Sequence, residues 1–138
     1  RETPRWDEAA FPAVHVAPGA ADGWRERWVV AVNPGCPHCR SSLAALAAAR
    51  DRSHAAVHVT ALVVDQPDRP ADEVLASLPA DETCWDARRI WRERWRHRVY
   101  GEVLCFDTDG RAIRQLAPFD RVETAMESLG ANELSEAP

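Results

Sequence analysis

This sequence predicts an α/β fold, a central mixed β-sheet flanked by helices, and three observations carry that prediction. Trp28-Val29-Val30-Ala31-Val32 and Val57-His58-Val59-Thr60-Ala61-Leu62-Val63-Val64-Asp65 are β-branched, almost uncharged runs of strand length. Between them, Ser41 to Arg50 is rich in alanine and leucine and reads as helix. Strand, helix and strand make a βαβ unit, whose two strands are expected to run parallel with a right-handed crossover. Further on, Val103-Leu104-Cys105-Phe106, the turn Asp107-Thr108-Asp109-Gly110 and the run Ala112 to Ala117 read as an antiparallel hairpin, which makes the sheet mixed.

The remaining elements follow in chain order. Residues 1–23 are rich in proline and alanine with little periodicity and read as an N-terminal extension. It is either an extended arm tied down by Trp6 and Phe11 or a linker following a removed signal or membrane anchor. Residues 24–138 read as one domain, with Trp24 and Trp28 as cover and core residues. Asn33-Pro34-Gly35 breaks the first strand, and Gln66-Pro67-Asp68-Arg69-Pro70 ends the second. Asp72 to Leu78 is a short helix stopped before Pro79. Thr83-Cys84-Trp85 is a short strand. Asp86 reads as the N-cap of a helix running to His97, with Ile90, Trp91 and Trp95 on its buried side. Asp120 with Glu123 forms a capping box for the last helix, Gly130 marks its C-terminal end, and Asn132 to Pro138 is frayed.

With 138 residues the chain can bury a real core. A net charge of −5 argues against a nucleic-acid binder, and no apolar run is long enough to span a bilayer. Every basic residue other than histidine is arginine, so no lysine tunes any site. Arg88 to Arg98 holds six arginines against one glutamate. Such a run is either the solvated face of a helix or a basic patch that steers an acidic partner or touches anionic lipid headgroups.

The chemistry is expected at Cys36-Pro37-His38-Cys39, where the first strand runs into the helix. At the first turn of a helix, unpaired N–H groups and the positive end of the dipole favour a thiolate. Pro37 suits that turn, because its missing N–H has no partner to lose. His38 brings an imidazole beside the sulfur. Cys39 returns to the same helix face as Cys36, so the pair can close and reopen a disulfide. Cys36 is then the attacking thiol and Cys39 the resolving one, and no organic cofactor is needed. Zinc binding or a structural disulfide are the rival uses, but a zinc site usually takes a second ligand pair. Cys84 and Cys105 stand alone as buried free thiols or as a second pair. His15, His54, His58 and His97 form no spaced ligand set.

On these marks, together with Ala61-Leu62-Val63-Val64-Asp65 and Phe106-Asp107-Thr108-Asp109-Gly110, the chain from Trp24 onward resembles the thioredoxin-like superfamily. The branch is that of TlpA- and ResA-type thiol–disulfide oxidoreductases, while the Pro-His dipeptide resembles that of the DsbA oxidants. The resemblance implies a thioredoxin-like fold, a cysteine-bearing protein substrate, a redox partner protein, and an extracytoplasmic site, periplasmic or membrane-anchored. Two positions depart from the family pattern. Gly35 stands where relatives carry an aromatic residue, and Arg98 to Val103 contains no proline where relatives carry a cis-proline facing the disulfide. Tyr100, Gly101 and Glu102 occupy that stretch and are the expected substrate-binding residues. Glu102 either lies near the thiols or faces solvent at the strand edge. Tyr100 either lines a peptide groove or packs over the sheet. A copper- or zinc-binding module and a non-catalytic interaction domain are the alternative functions.

Overall fold

Apolar residues occupy both sides of the central strands, and this decides the layering. In the computed structural model, which describes residues 2–118 and 121–136, the chain runs β1 (Ala13–Val16), β2 (Glu26–Val32), α1 (Pro37–Ser53), β3 (Val57–Val63), α2 (Asp72–Ala76) and β4 (Glu82–Trp85). A π-helical turn (Ile90–Arg94) follows, then β5 (Val103–Asp107), β6 (Ala112–Leu116) and α3 (Val122–Glu136). The strands form one six-stranded sheet in the order β1-β4-β3-β2-β5-β6. β2, β3 and β4 are parallel, as the βαβ reading expects, while β1, β5 and β6 run antiparallel to their neighbours. Every residue of β3 is buried, which is why that run carries no alternation in the sequence.

One face of the sheet packs Val30, Val32, Val59 and Val103 against Cys39, Leu43 and Leu46 of α1 and Met126 of α3. The other packs Val29, Ala31, Leu62, Leu104 and Phe106 under Trp6, Phe11, Ile90, Trp91 and Trp95. The residues read as an extension thus lie on the sheet: β1 pairs with β4, and Trp6 stacks on Phe11 at 4.7 Å between ring centroids. Arg27 is buried between the Trp6 and Trp24 rings, 4.9 and 5.0 Å from their centroids, and bonds Glu82 at 2.6 Å.

Three expectations need correction. The helix expected from Asp86 to His97 is a single π-helical turn. Asp86 does cap it, accepting from the Ile90 and Trp91 amides at 2.9 and 3.0 Å. Left-handed backbone at Arg89 (φ 55°) and Arg96 (φ 65°) stops it on both sides. Gly130 does not end the last helix, which runs through it to Glu136. A Cβ at Gly130 would meet the Ser53 carbonyl oxygen at 2.4 Å, so glycine there permits α3 to touch the end of α1. With that helix continuing, Asn132 to Glu136 is helical rather than frayed. Asp120 of the expected capping box lies outside the described residues. The hairpin turn is as read, with Gly110 at φ +85°, where a Cβ would meet the Trp6 carbonyl oxygen at 2.4 Å.

Candidate active site

The site begins where β2 ends. The Asn33 side chain accepts from the Gly35 amide at 2.9 Å, and its carbonyl accepts from the Cys36 amide at 2.9 Å. This tight turn delivers Cys36 as the extended N-cap residue of α1 (φ −94°, ψ 112°), with Pro37 opening the helix. Cys36 is partly exposed, Pro37 and His38 are exposed, and Cys39 is 2 % exposed against the core. All four cysteines are free thiols in this structure.

Position separates the two sulfurs chemically. The Cys36 thiol is held below its ordinary range, first by the Cys39 thiol, which can donate to it, and then by the Cys39 and His38 amides, while its own burial opposes. Those amides stop short of a closed capping hydrogen bond. Burial pushes the Cys39 thiol up to about 11, against the pull of the Asn33 backbone. One thiol is therefore partly exposed and inclined to ionise, and its mate is a sheltered proton-bearing neighbour.

The segment entering β5 pairs with the end of β2, from which the site begins. The Gly101 amide donates to the Ala31 carbonyl at 2.7 Å, and the Ala31 amide to the Glu102 carbonyl at 3.2 Å. Gly101 takes φ +88° and is buried. Tyr100 is half-buried and packs on the same apolar cluster as Cys36. Its ring stacks on Trp91 and its hydroxyl donates to Asp65 at 2.6 Å. Glu102 corrects both sequence readings, since it neither faces solvent nor neighbours the thiols. It is 5 % exposed, accepting from Trp91 Nε1 at 2.7 Å and lying 2.5 Å from His97 Nδ1. Strand alternation explains this: Val103 points to the α1 face, so Glu102, in phase with Leu104, points to the opposite one.

Sequence reasoning assigned Asp65 and His97 no role. Asp65 takes left-handed backbone (φ 57°) and accepts from two guanidinium nitrogens of Arg92, Nε at 2.7 Å and a terminal one, and also from the Tyr100 hydroxyl. Arg92 is the first cause holding the Asp65 carboxyl below its usual range. These partners stand 27 and 35 positions away, so no local pattern announces them. Cys84 and Cys105 are both buried, and β3 and β2 separate their strands. Three strand spacings of about 4.8 Å rule out a bond between them. A cleft of about 410 Å³ opens just along α1 from the cysteines, lined by Ser41, Ser42, Gly101, Pro118 and Arg121 among others. Among the described residues no three His, Cys, Asp or Glu side chains gather as a metal site.

A βαβ unit feeding an antiparallel hairpin, with α1, α2 and α3 on one face of the mixed sheet and paired cysteines where the first helix starts, is a thioredoxin-like fold. No family model and no curated protein matches the sequence. Solved structures do match. One, described as a thiol:disulfide interchange protein DsbE from Chlorobium tepidum, is 18 % identical over 97 % of this chain and 98 % of its own, with a TM-score of 0.61. StoA from Bacillus subtilis is 11 % identical over 77 % of this chain and 83 % of its own, TM-score 0.57. A secreted Mycobacterium tuberculosis disulfide oxidoreductase, homologous to E. coli DsbE, is 14 % identical over 78 % and 81 %, TM-score 0.52. At these identities the likeness is one of fold.

Proposed function

We propose that this protein is a thiol–disulfide oxidoreductase acting on cysteine-bearing proteins through Cys36 and Cys39. The carrying observation is the asymmetry of the pair: Cys36 partly exposed at the helix start with its thiol pulled down, Cys39 buried with its thiol pushed up to about 11. In the reducing direction the Cys36 thiolate attacks one sulfur of the substrate disulfide, and the other substrate sulfur leaves as a thiolate. The Cys39 thiol then gives up its proton to the departed substrate thiolate and attacks Cys36 in the mixed disulfide. The Cys36–Cys39 disulfide forms, and the second substrate sulfur leaves. Two electrons pass to the substrate, and a redox partner protein restores the dithiol by the same steps reversed. In the oxidising direction the substrate thiolate attacks Cys36 of the closed disulfide.

The half-buried Tyr100 and the cleft beside Gly101 support a substrate segment lying along this side of Cys36. An extracytoplasmic site suits a disulfide exchanger. It is also in keeping with the secreted Mycobacterium tuberculosis protein among the similar folds, and no helix among the described residues is long and apolar enough to cross a membrane. Insulin reduction in the presence of dithiothreitol tests the proposal. Turnover above the thiol background, abolished by Cys36→Ser, is the expected result; turnover equal to background, or unchanged in Cys36→Ser, overturns it.

A further inference from the structure

The arginine-rich segment between β4 and β5 is not absorbed by the exchange chemistry. Because β2, β3 and β4 are parallel, the segments leaving their C-terminal ends emerge at one edge of the sheet, and the segment entering antiparallel β5 begins there too. Cys36 lies at this edge, and so does the run from Arg88 to Arg98. The run is held firmly. Ile90, Trp91, Trp95 and His97 are buried, and Arg92 ties it to Asp65 at the end of β3. Arg89 and Arg96 keep left-handed backbone, which costs a residue bearing a Cβ about 1 kcal/mol and which asparagine or glycine would take more readily.

The charges of this edge do not cancel. Arg92 pairs with Asp65, Arg89 with Glu93 at 3.2 Å and Arg94 with Glu2 at 2.9 Å. Arg88, Arg96 and Arg98 are exposed and pair with no carboxylate among the described residues. Arg40, in the first turns of the cysteine helix, meets only the Ser77 hydroxyl among the described residues, at 2.6 Å. Against these stand Asp68 in the loop after β3 and Glu73 in the first turn of α2, two exposed carboxylates that pair with no arginine among the described residues. The chain as a whole carries −5, so a positive edge at the end of the sheet that holds Cys36 runs against its general balance.

From this juxtaposition we infer that the edge is a docking surface for acidic protein segments: the substrate presents its disulfide flanked by aspartate and glutamate side chains, which Arg88, Arg96 and Arg98 receive while Cys36 attacks. This rests on the exchange reading above. A lipid surface fits less well, since Val99 is the large exposed apolar side chain at this edge, whereas Val16 and Ile113 belong to the edge strands β1 and β6. Complementary charge raises encounter rates about tenfold or more and is screened by salt.

The test compares two labelled peptides with the same internal disulfide, one flanked by Asp and Glu, the other by Lys and Arg. Reduction rates are measured at about 20 mM and about 300 mM salt, where the Debye length falls from about 20 Å to about 6 Å. The expected ratio of acidic to basic rates is about ten at low salt and falls toward one at high salt. In Arg88→Gln/Arg96→Asn/Arg98→Gln it falls toward one at low salt as well. Arg96→Asn relieves the backbone, so this loss does not trace to unfolding. A wild-type ratio near one, or a ratio unmoved by the triple variant, overturns the proposal, as does a ratio near one with tight uptake by phosphatidylglycerol vesicles. The neutral hydroxyethyl disulfide separates the two readings: if it too is left unreduced, exchange itself fails. Docking is then read by anisotropy of the acidic peptide on Cys36→Ser. Binding lost on adding the three arginine changes sustains docking, and no binding overturns it.

Discussion

Substituting Gly130 sets two magnitudes of opposite sign against each other. In a helix interior, Gly→Ala ordinarily stabilises by about 1 kcal/mol, because alanine surrenders less backbone entropy. Gly130 lies inside α3, and its φ is not positive. A Cβ built there would stand 2.4 Å from the Ser53 carbonyl oxygen, 2.8 Å from Ser53 Cβ and 3.0 Å from Ser53 carbonyl carbon. Two of these are backbone atoms at the end of α1, which cannot swing aside as a long side chain does. Relief requires moving α3 off α1, and overpacking of that kind costs about 1–3 kcal/mol. The clash outweighs propensity, so Gly130→Ala is expected to destabilise by about 1 kcal/mol net in urea unfolding followed by circular dichroism, with little change in m-value. Gly130→Asn separates this from a capping role. Asparagine is tolerated at a left-handed cap, so a cap would lose little. At a helix–helix contact asparagine is worse than alanine. Stabilisation by alanine, or asparagine matching glycine, refutes the close-contact argument.

The cysteine pair makes a directional prediction. Cys39→Ala removes the first cause that lowers the Cys36 thiol, so the Cys36 titration followed by thiolate absorbance moves up, whereas Cys39→Ser keeps a donor and moves it less. Equal titrations in the two variants count against the arrangement. Glu82 predicts acid lability. Its carboxyl is lowered from 4.5 to about 2, first by the His58 imidazole facing it at 3.8 Å and then by Arg27. A depressed folded value means that its stabilisation, on the order of 2 kcal/mol, is complete above pH 4.5 and is lost as pH falls toward 2. Glu82→Gln should flatten the stability profile across that window, and an unchanged profile would remove Glu82 from the account. Thiol counting with Ellman's reagent should find Cys84 and Cys105 silent in the reduced native protein and reactive in guanidinium, since both are buried with thiols pushed up by burial. Fast native labelling of either would contradict their packing.

The sequence by itself determined the local frame of the cysteine pair. The β-branched runs of β2 and β3 and the alanine-rich helix between them are local patterns, and Cys36, Pro37 and Cys39 take their places at the helix start from sequence spacing alone. Asp107 to Gly110 carried its turn in the same way. Only the tertiary structure decided which side of the sheet Glu102 faces, because one strand position reverses a side chain and the register was set by pairing with Ala31. It also decided that Gly130 serves contact with Ser53, and that Asp65 holds Arg92 and Tyr100 from far along the chain. Periodicity and capping are short-range and appear in neighbouring letters; packing, charge pairing and the crowding of helices join residues that only the folded chain brings together.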